Sequence, residues 1–350
     1  MKISLGMPAY NESQRIAQTI RCVFAQTLFR SPSTAVESVE LIVVPNGCTD
    51  DTAAVAQRVV AEELARLGNP RVSARVEVVT QAGKSNAWNE YVHRFSAQDA
   101  DVVFLLDSDV TFTPDRCFEL LMVALAAAPR AHAAVGRPLK DIALKQHKSL
   151  ADRVSLLGSS AGDQAHPAIA GSMYAVRGAV VRRIWMPRGL LVEDGFVRAM
   201  LITNFFTNPG YANEYDRVTR AESAHQVFEA VRSPRGIFRH ARRLLVGARI
   251  NACIYDKLWH LPPGQDAGAW CRAMSDADPD WVRTLVNQKI ATLGFWVMPR
   301  GLMFSRFANA RAKHLLPALR SLALAALALP FDAAVLCSAN AAVRRGEFRW

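Results

Sequence analysis

The sequence predicts an α/β fold with a mostly parallel central sheet, followed by a helical C-terminal region. Three observations predict it. Short runs rich in Val and Ile alternate with amphipathic helical segments through the first half of the chain. Each of those runs ends in polar or turn-forming residues. Beyond residue 230 the strand-like runs stop, and a basic, apolar, helix-forming stretch takes over. With 350 residues, 51% of them hydrophobic, the chain has enough apolar surface for one large domain with a substantial appendage.

The runs at 3–7, 39–44, 74–79 and 102–106 are predicted strands. Segments 13–24, 52–67, 86–95 and 115–128 are predicted helices between and after them. Asp50 or Asp51 suits the N-cap of the second helix, because a short carboxylate can accept a bond from an orphan amide. Thr113-Pro114 suits the start of the fourth, where the missing proline amide costs nothing. Strands apolar on both faces and separated by helices belong to βαβ units with parallel pairing. Two further strands are predicted at 133–136 and 169–176, and a short apolar run at 190–192 leads into Glu193-Asp194. Those two acids also suit the N-terminus of a helix over 195–201. No strand is predicted from 231 onward; helical segments are predicted at 290–298 and 315–336. These patterns set residues 1–230 apart from a helical region at 231–350.

Lys and Arg total 42 against 31 for Asp and Glu, a formal net charge of +11. That surplus points to an anionic partner. It is concentrated after the boundary, where Arg232, Arg235, Arg239, Arg242, Arg243, Arg249 and Lys257 face Asp256 alone. The basic residues lack an interleaved aromatic platform for bases, so no nucleic acid is expected. The six cysteines include no pair at metal-ribbon or CxxC spacing, and reduced thiols in a cytosolic compartment are the simplest reading. The N-terminus carries no signal-peptide pattern. The segment 321–339 comes nearest to the ~20 apolar residues of a spanning helix, but Pro330 and Asp332 interrupt it. Helices lying in or re-entering a membrane interface are expected, with Arg344, Arg345 and Arg349 on the cytosolic flank. An ordinary helical subdomain packed on the core is the competing reading.

Parallel sheets bind ligands beyond the carboxyl ends of their strands. The run 102–106 delivers Asp107-Ser108-Asp109 to that edge. Residues two apart on an extended chain share a face, so both carboxylates suit one site, and their hard oxygens suit Mg²⁺ or Mn²⁺. The first strand ends in Pro8-Ala9-Tyr10-Asn11-Glu12 and the second in Asn46-Gly47-Cys48-Thr49-Asp50-Asp51-Thr52. Gly83-Lys84-Ser85-Asn86-Ala87-Trp88-Asn89 follows the third. Singly, each is explained by caps, a glycine turn or a solvated lysine. Together, at the ends of successive strands, they point to a site.

This ordered set resembles the family 2 glycosyltransferases, which have the GT-A, nucleotide-diphospho-sugar transferase fold. The resemblance rests on PAYNE at 8–12, NGCTDDT at 46–52, GKSNAWN at 83–89, DSD at 107–109, AGSMYAVR at 170–177 and VEDG at 192–195. It implies an inverting enzyme that moves a sugar from a nucleotide-diphospho-sugar, UDP-linked, to a hydroxyl acceptor. With the apolar tail it implies a lipid or lipid-linked glycan acceptor at the cytosolic membrane face, in cell-envelope polysaccharide or glycolipid biosynthesis. An anionic membrane surface is the further expected partner.

By the same resemblance, Pro8, Tyr10 and Glu12 surround the nucleoside. Asn46 stands where many relatives carry a uracil-reading aspartate, and its amide can still donate and accept. Lys84 belongs near the base or diphosphate. Asp107 lies on the donor side, and Asp109 holds the divalent metal, Mg²⁺ or Mn²⁺. Asp194 is the general base beside Glu193, since an acceptor hydroxyl needs a carboxylate to take its proton. Arg243 fits the arginine of the Gln-x-x-Arg-Trp motif of processive relatives and reaches the diphosphate. His240 and Leu244 depart from that motif, which favours transfer of a single sugar. A sugar-1-phosphate nucleotidyltransferase is the competing enzyme class, but the first loop carries an acid and no glycine. A non-catalytic binding protein is the third reading, and the intact acids argue against it.

Overall fold

The structure is a computed structural model that describes residues 1–145, 147–149, 152, 169–207, 216–231, 233–311 and 315–347. Arg232 and Arg349 lie outside the described residues. The described strands are β1 (Lys2–Ala9), β2 (Ser38–Pro45), β3 (Val72–Val76), β4 (Val102–Leu106), β5 (Thr111–Thr113), β6 (Ala133–Lys140), β7 (Met173–Arg177) and β8 (Val218–Phe228). They form one sheet in the order β3-β2-β1-β4-β7-β6-β8-β5. Pairing is parallel from β3 through β2 and β1 to β4, and again between β6 and β8. β7 runs antiparallel to both β4 and β6, and β5 antiparallel to β8. The expected parallel core is therefore present, while the far side of the sheet is mixed.

Burial on both faces is what makes β1 and β4 the centre. Ile3, Leu5 and Met7 alternate onto one face and join a core with Ile16, Ile20, Val59, Phe104 and Phe118. That face is covered by the helices Ile16–Phe24, Thr52–Leu67 and Cys117–Ala127. Ser4 and Gly6 take the opposite face, as the two-residue period of a strand requires. There the helix Lys84–Glu90 runs on into a π-turn, Tyr91–Phe95. The buried Tyr91 hydroxyl donates to Ser4 Oγ at 2.9 Å, and its ring lies against Gly6. A Cβ built on Gly6 falls 2.3 Å from that ring, so only glycine lets the helix approach this closely.

The second helix starts much as its sequence predicts. Asp51 holds the N-cap position without a capping bond, and Asp50 Oδ1 accepts from the Thr52 amide at 3.0 Å. Gly68, with φ of +59°, ends it. Other boundaries differ. β3 spans Val72–Val76, whereas 74–79 was expected, because the chain then leaves the ladder and touches it again only through an Asn46–Val79 bridge. β8 has few apolar residues to announce it, and it inserts a fully buried polar side chain, Gln226, into the sheet. The apolar run at 290–298 is not a helix: the helix Trp281–Ala291 stops there, Gly294 turns at φ +69°, and Val297 and Met298 are buried outside any helix or strand. The last helix runs Leu315–Arg344, eight residues beyond the predicted 315–336, with Pro330 inside it.

The chain divides into two compact units. The first comprises Met1–Arg188, Glu193–Ala230 and Leu261–Asp276, and the second Gly189–Val192, Val231–His260 and Ala277–Trp350. Within the second unit the helix Pro234–Trp259 is capped by Ser233, whose Oγ accepts from the Gly236 amide at 3.1 Å. The C-terminal half of the helix Leu315–Arg344 is packed, burying Val335, Leu336, Ala339, Ala342 and Val343. Asn340 pins that half by accepting from the Val297 amide at 2.8 Å. Its preceding turns leave Leu324 and Leu327 exposed.

Gly6→Ala is expected to destabilise the protein by about 1–3 kcal/mol, the usual cost of overpacking a filled core. A urea midpoint equal to that of the wild type refutes the Tyr91 contact as the reason for glycine here.

Candidate active site

Strand order reverses between β1 and β4, because the chain winds outward to β2 and β3 and then crosses back over β1. The carboxyl ends of β1 and β4 therefore open onto the crevice where such sheets take ligands. The loops around that crevice are held by side chain to backbone bonds. Asn11, at φ +53°, accepts from the Thr49 amide at 2.8 Å. The Glu12 amide donates to Thr52 Oγ1 at 2.8 Å, and the Ser13 amide to Asp50 Oδ2 at 3.2 Å. Slight burial opposes ionisation of Asp50, but bonds from Thr52 and Ser13 outweigh it and bring its pKa down to about 2.

Asn46 is buried and fully engaged. Its Nδ2 donates to the Ala9 carbonyl at 2.8 Å, and its Oδ1 accepts from the Gly83 amide at 3.0 Å. It thus brackets the end of β1 to the start of the helix Lys84–Glu90.

Lys84 lies between two acids. Its ammonium lies 2.6 Å from Asp107 Oδ1 and 2.6 Å from Glu193 Oε1. Burial opposes the charge on Lys84, but the two carboxylates prevail and raise its pKa well above the usual lysine value. Glu193 and Asp194 open the helix Glu193–Ile202, two residues earlier than the predicted helix start. Asp194 Oδ1 accepts from the Gly195 amide at 2.7 Å and Oδ2 from the Gly171 amide at 3.3 Å. Burial and then the neighbouring Glu193 charge raise the Asp194 pKa, against the pull of those amides and Lys84. A raised carboxylate is a better proton acceptor.

Asp109 stands at the exposed edge. Partial loss of hydration, then the Asp107 charge, raises its pKa. Desolvation raises Glu12, and the charges of Asp109, Asp50 and Asp107 add to it. Glu12, Asp107 and Asp109 thus share one field of like charge, which a divalent cation would relieve. Among the described residues no three His, Cys, Asp or Glu side chains form a ready-made metal cage. That donor set fits Mg²⁺ or Mn²⁺ held by one or two carboxylates, with diphosphate and water supplying the rest.

The structure brings Pro8, Glu12, Lys84, Asp107, Asp109, Glu193 and Asp194 to this edge. Tyr10 is 53% exposed on the first loop. Arg243 lies on the helix Pro234–Trp259, in the other unit. Sequence reasoning did not single out Tyr174, Trp88 or Gly171. The first two line a small recess behind Lys84, joined by a 2.9 Å bond from Trp88 Nε1 to the Tyr174 hydroxyl. Gly171 presents the amide that Asp194 accepts from. The quoted runs at 83–89 and 170–177 contain all three, but only the fold aligns them.

A model of the family described as Glycosyl transferase family 2 matches residues 4–182. The chain belongs to that family. This glycosyltransferase has a mixed sheet whose fold is that of the GT-A enzymes, as expected. Its structure resembles a mannosyltransferase of Pyrobaculum calidifontis in complex with GDP-Man and Mn²⁺, with a TM-score of 0.54 and 19% identity over 99% of this chain and 85% of that one. A glucosyl-3-phosphoglycerate synthase of Mycobacterium tuberculosis in complex with UDP aligns with a TM-score of 0.45 and 18% identity over 75% of this chain and 82% of that one. No curated protein matches the sequence. The family match ends before Glu193 and Asp194 of the glycosyltransferase, so their part in the site rests on geometry.

The depressed Asp50 pKa implies an acid dependence. Its contribution to stability is full above the ordinary carboxylate value of 3.8 and is lost as pH falls through about 2. The stability difference between wild type and Asp50→Asn is expected to narrow over that window. A difference in denaturant midpoint that stays constant from neutral pH to pH 2 contradicts the assignment.

Proposed function

We propose that this glycosyltransferase is inverting and metal-dependent, moving a sugar from a nucleotide-diphospho-sugar, UDP-linked, to a hydroxyl acceptor. One observation carries the reading: Asp107, Asp109, Glu193 and Asp194 come from distant parts of the chain yet gather at one strand edge, linked through Lys84. In this reading Asp109, with Asp107 behind it, would hold a divalent metal, whose charge would offset that of the diphosphate leaving group. Asp194 takes the acceptor proton. Pro8, Tyr10 and Glu12 border the nucleoside, and Asn46 holds the loop that does so. Arg243 is assigned to the diphosphate from its motif position alone. The absence of glycine from the loop at 8–12 speaks against nucleotidyl transfer, which has to cradle a triphosphate.

A panel of nucleotide sugars, screened with Mn²⁺ for release of nucleoside diphosphate, tests the reading. It spans UDP- and GDP-linked sugars, since the mannosyltransferase that shares the fold is in complex with GDP-Man. Asp194→Asn is expected to lower turnover by about 10²–10⁴-fold, the usual contribution of a general base, while Mn²⁺–nucleoside diphosphate still binds. Asp109→Ala is expected to remove the metal dependence and leave the circular dichroism spectrum unchanged. Unaltered turnover in both variants rules the assignment out.

Within the same proposal, residues 1–230 are the catalytic part and 231–350 the membrane-associated part, with a lipid or lipid-linked acceptor at the cytosolic face. Ser321–Arg344 is long and apolar enough to cross a membrane. Its C-terminal half is occupied by packing, which favours a helix resting in the interface. Leu324, Leu327 and Phe304 are among the exposed apolar residues of this unit, and Arg235 and Arg239 are exposed cations of it, suited to anionic headgroups. The double variant Leu324→Asp/Leu327→Asp is expected to weaken binding to phosphatidylglycerol vesicles at least tenfold, since burying one leucine is worth about 1.5–3 kcal/mol. Equal flotation of variant and wild type removes the membrane from the proposal.

A further inference from the structure

We infer that Lys84 is a positioning residue: it ties the Asp107 carboxylate at the end of β4 to the Glu193 carboxylate at the first turn of the helix Glu193–Ile202, and so fixes where Asp194 points. The inference rests on the functional reading above for the role of Asp194. The resemblance assigned Lys84 to the donor instead.

The geometry is built from both sides. On one side Gly83, at φ +138°, precedes Lys84, and its amide is held by Asn46 Oδ1 at 3.0 Å. Asn46 is held in turn by the Ala9 carbonyl, so the root of the lysine is fixed to the end of β1. On the other side Glu193 is buried and adjoins Asp194, whose two oxygens are shared between the Gly171 and Gly195 amides. Between them the ammonium sits 2.6 Å from each carboxylate. Gly171 leaves room for this. A Cβ there falls 3.1 Å from both Lys84 Nζ and Glu193 Oε1, so any larger residue presses on the bridge itself.

Lysine suits the task because an ammonium is a compact point charge with three donors on a flexible stem. It satisfies two carboxylates on separate elements without the planar demands of a guanidinium. With the ammonium gone, the contact that ties Asp107 to Glu193 is lost. The first turn of the helix is then free to turn its acids away, and Asp194 loses its orientation between the two glycine amides.

The test compares Lys84→Met and Lys84→Arg in the full-length protein. Hydrogen–deuterium exchange on the ligand-free protein needs no donor. Lys84→Met is expected to speed exchange in peptides covering 170–173 and 193–197, with the rest of the first unit unchanged and Lys84→Arg restoring part of the protection. Calorimetry with Mn²⁺ and UDP or GDP is expected to give the wild-type affinity. With a donor from the panel, kcat is expected to fall by about 10²-fold at near-constant donor KM, the scale of a misplaced catalytic group. Should Lys84→Met fail to fold, Glu193→Gln removes the charge from the other end of the bridge and is expected to give the same local exchange. Unchanged exchange in those peptides overturns the inference. So does a raised donor KM at constant kcat, which makes Lys84 a donor ligand. If the exchange responds as expected but the wild type turns over no nucleotide sugar, the bridge stands and the functional reading falls.

Discussion

Like charges crowd the carboxyl edge of this sheet, and their compensation by one lysine is the interaction on which the site depends. Asp107 follows β4 and Glu193 opens the helix Glu193–Ile202, and the Lys84 ammonium contacts both at 2.6 Å. Two carboxylates at such range carry a repulsion that weakens only with hydration or a cation. Asp109 and Glu12 show raised pKa values, first from lost hydration and then from that repulsion. An edge left partly uncompensated is suited to receive a divalent cation, which the structure's own arrangement of one inner and one outer aspartate anticipates.

The sheet makes this crowding possible. β1 and β4 are buried on both faces, so neither can shift its register by one residue without driving apolar side chains into the wrong layer. Their ends are consequently fixed relative to each other, with Leu5 opposite Phe104 and Gly6 opposite Leu105. Every group at the edge inherits its position from that pairing. Asn46 and Asp50 then convert flexible strand-to-helix loops into a bonded rim, by accepting from and donating to backbone groups that loops ordinarily leave to water. The rim is thus framework, and the carboxylates at the edge are what it carries.

The legibility of each part follows from how local its cause is. Strands β1, β2 and β4 and the helix Thr52–Leu67 coincide closely with the sequence reading, because their burial is written in consecutive or regularly spaced apolar residues. β8 was not legible: a strand that buries Val218, Ala221, Ala224 and Gln226 has no apolar alternation strong enough to see. The run at 290–298 misled for the opposite reason, since apolar content alone does not separate a helix from buried irregular chain. At the site, the acids were visible as motifs. The roles of Asn46 and Lys84 were not, because both depend on partners tens of residues away: Asn46 on Ala9 and Gly83, Lys84 on Asp107 and Glu193.

By itself the sequence determined the parallel core, the polar strand ends, the family and the acids that follow the strands. These follow from periodicity and residue type, which act over a few neighbours. Tertiary structure alone decided which carboxylate receives the lysine, which glycine amides hold Asp194, and which half of the last helix is left bare. Those outcomes depend on distances between segments far apart in the chain, and electrostatic compensation and packing respond to distance in space and not to order along the backbone.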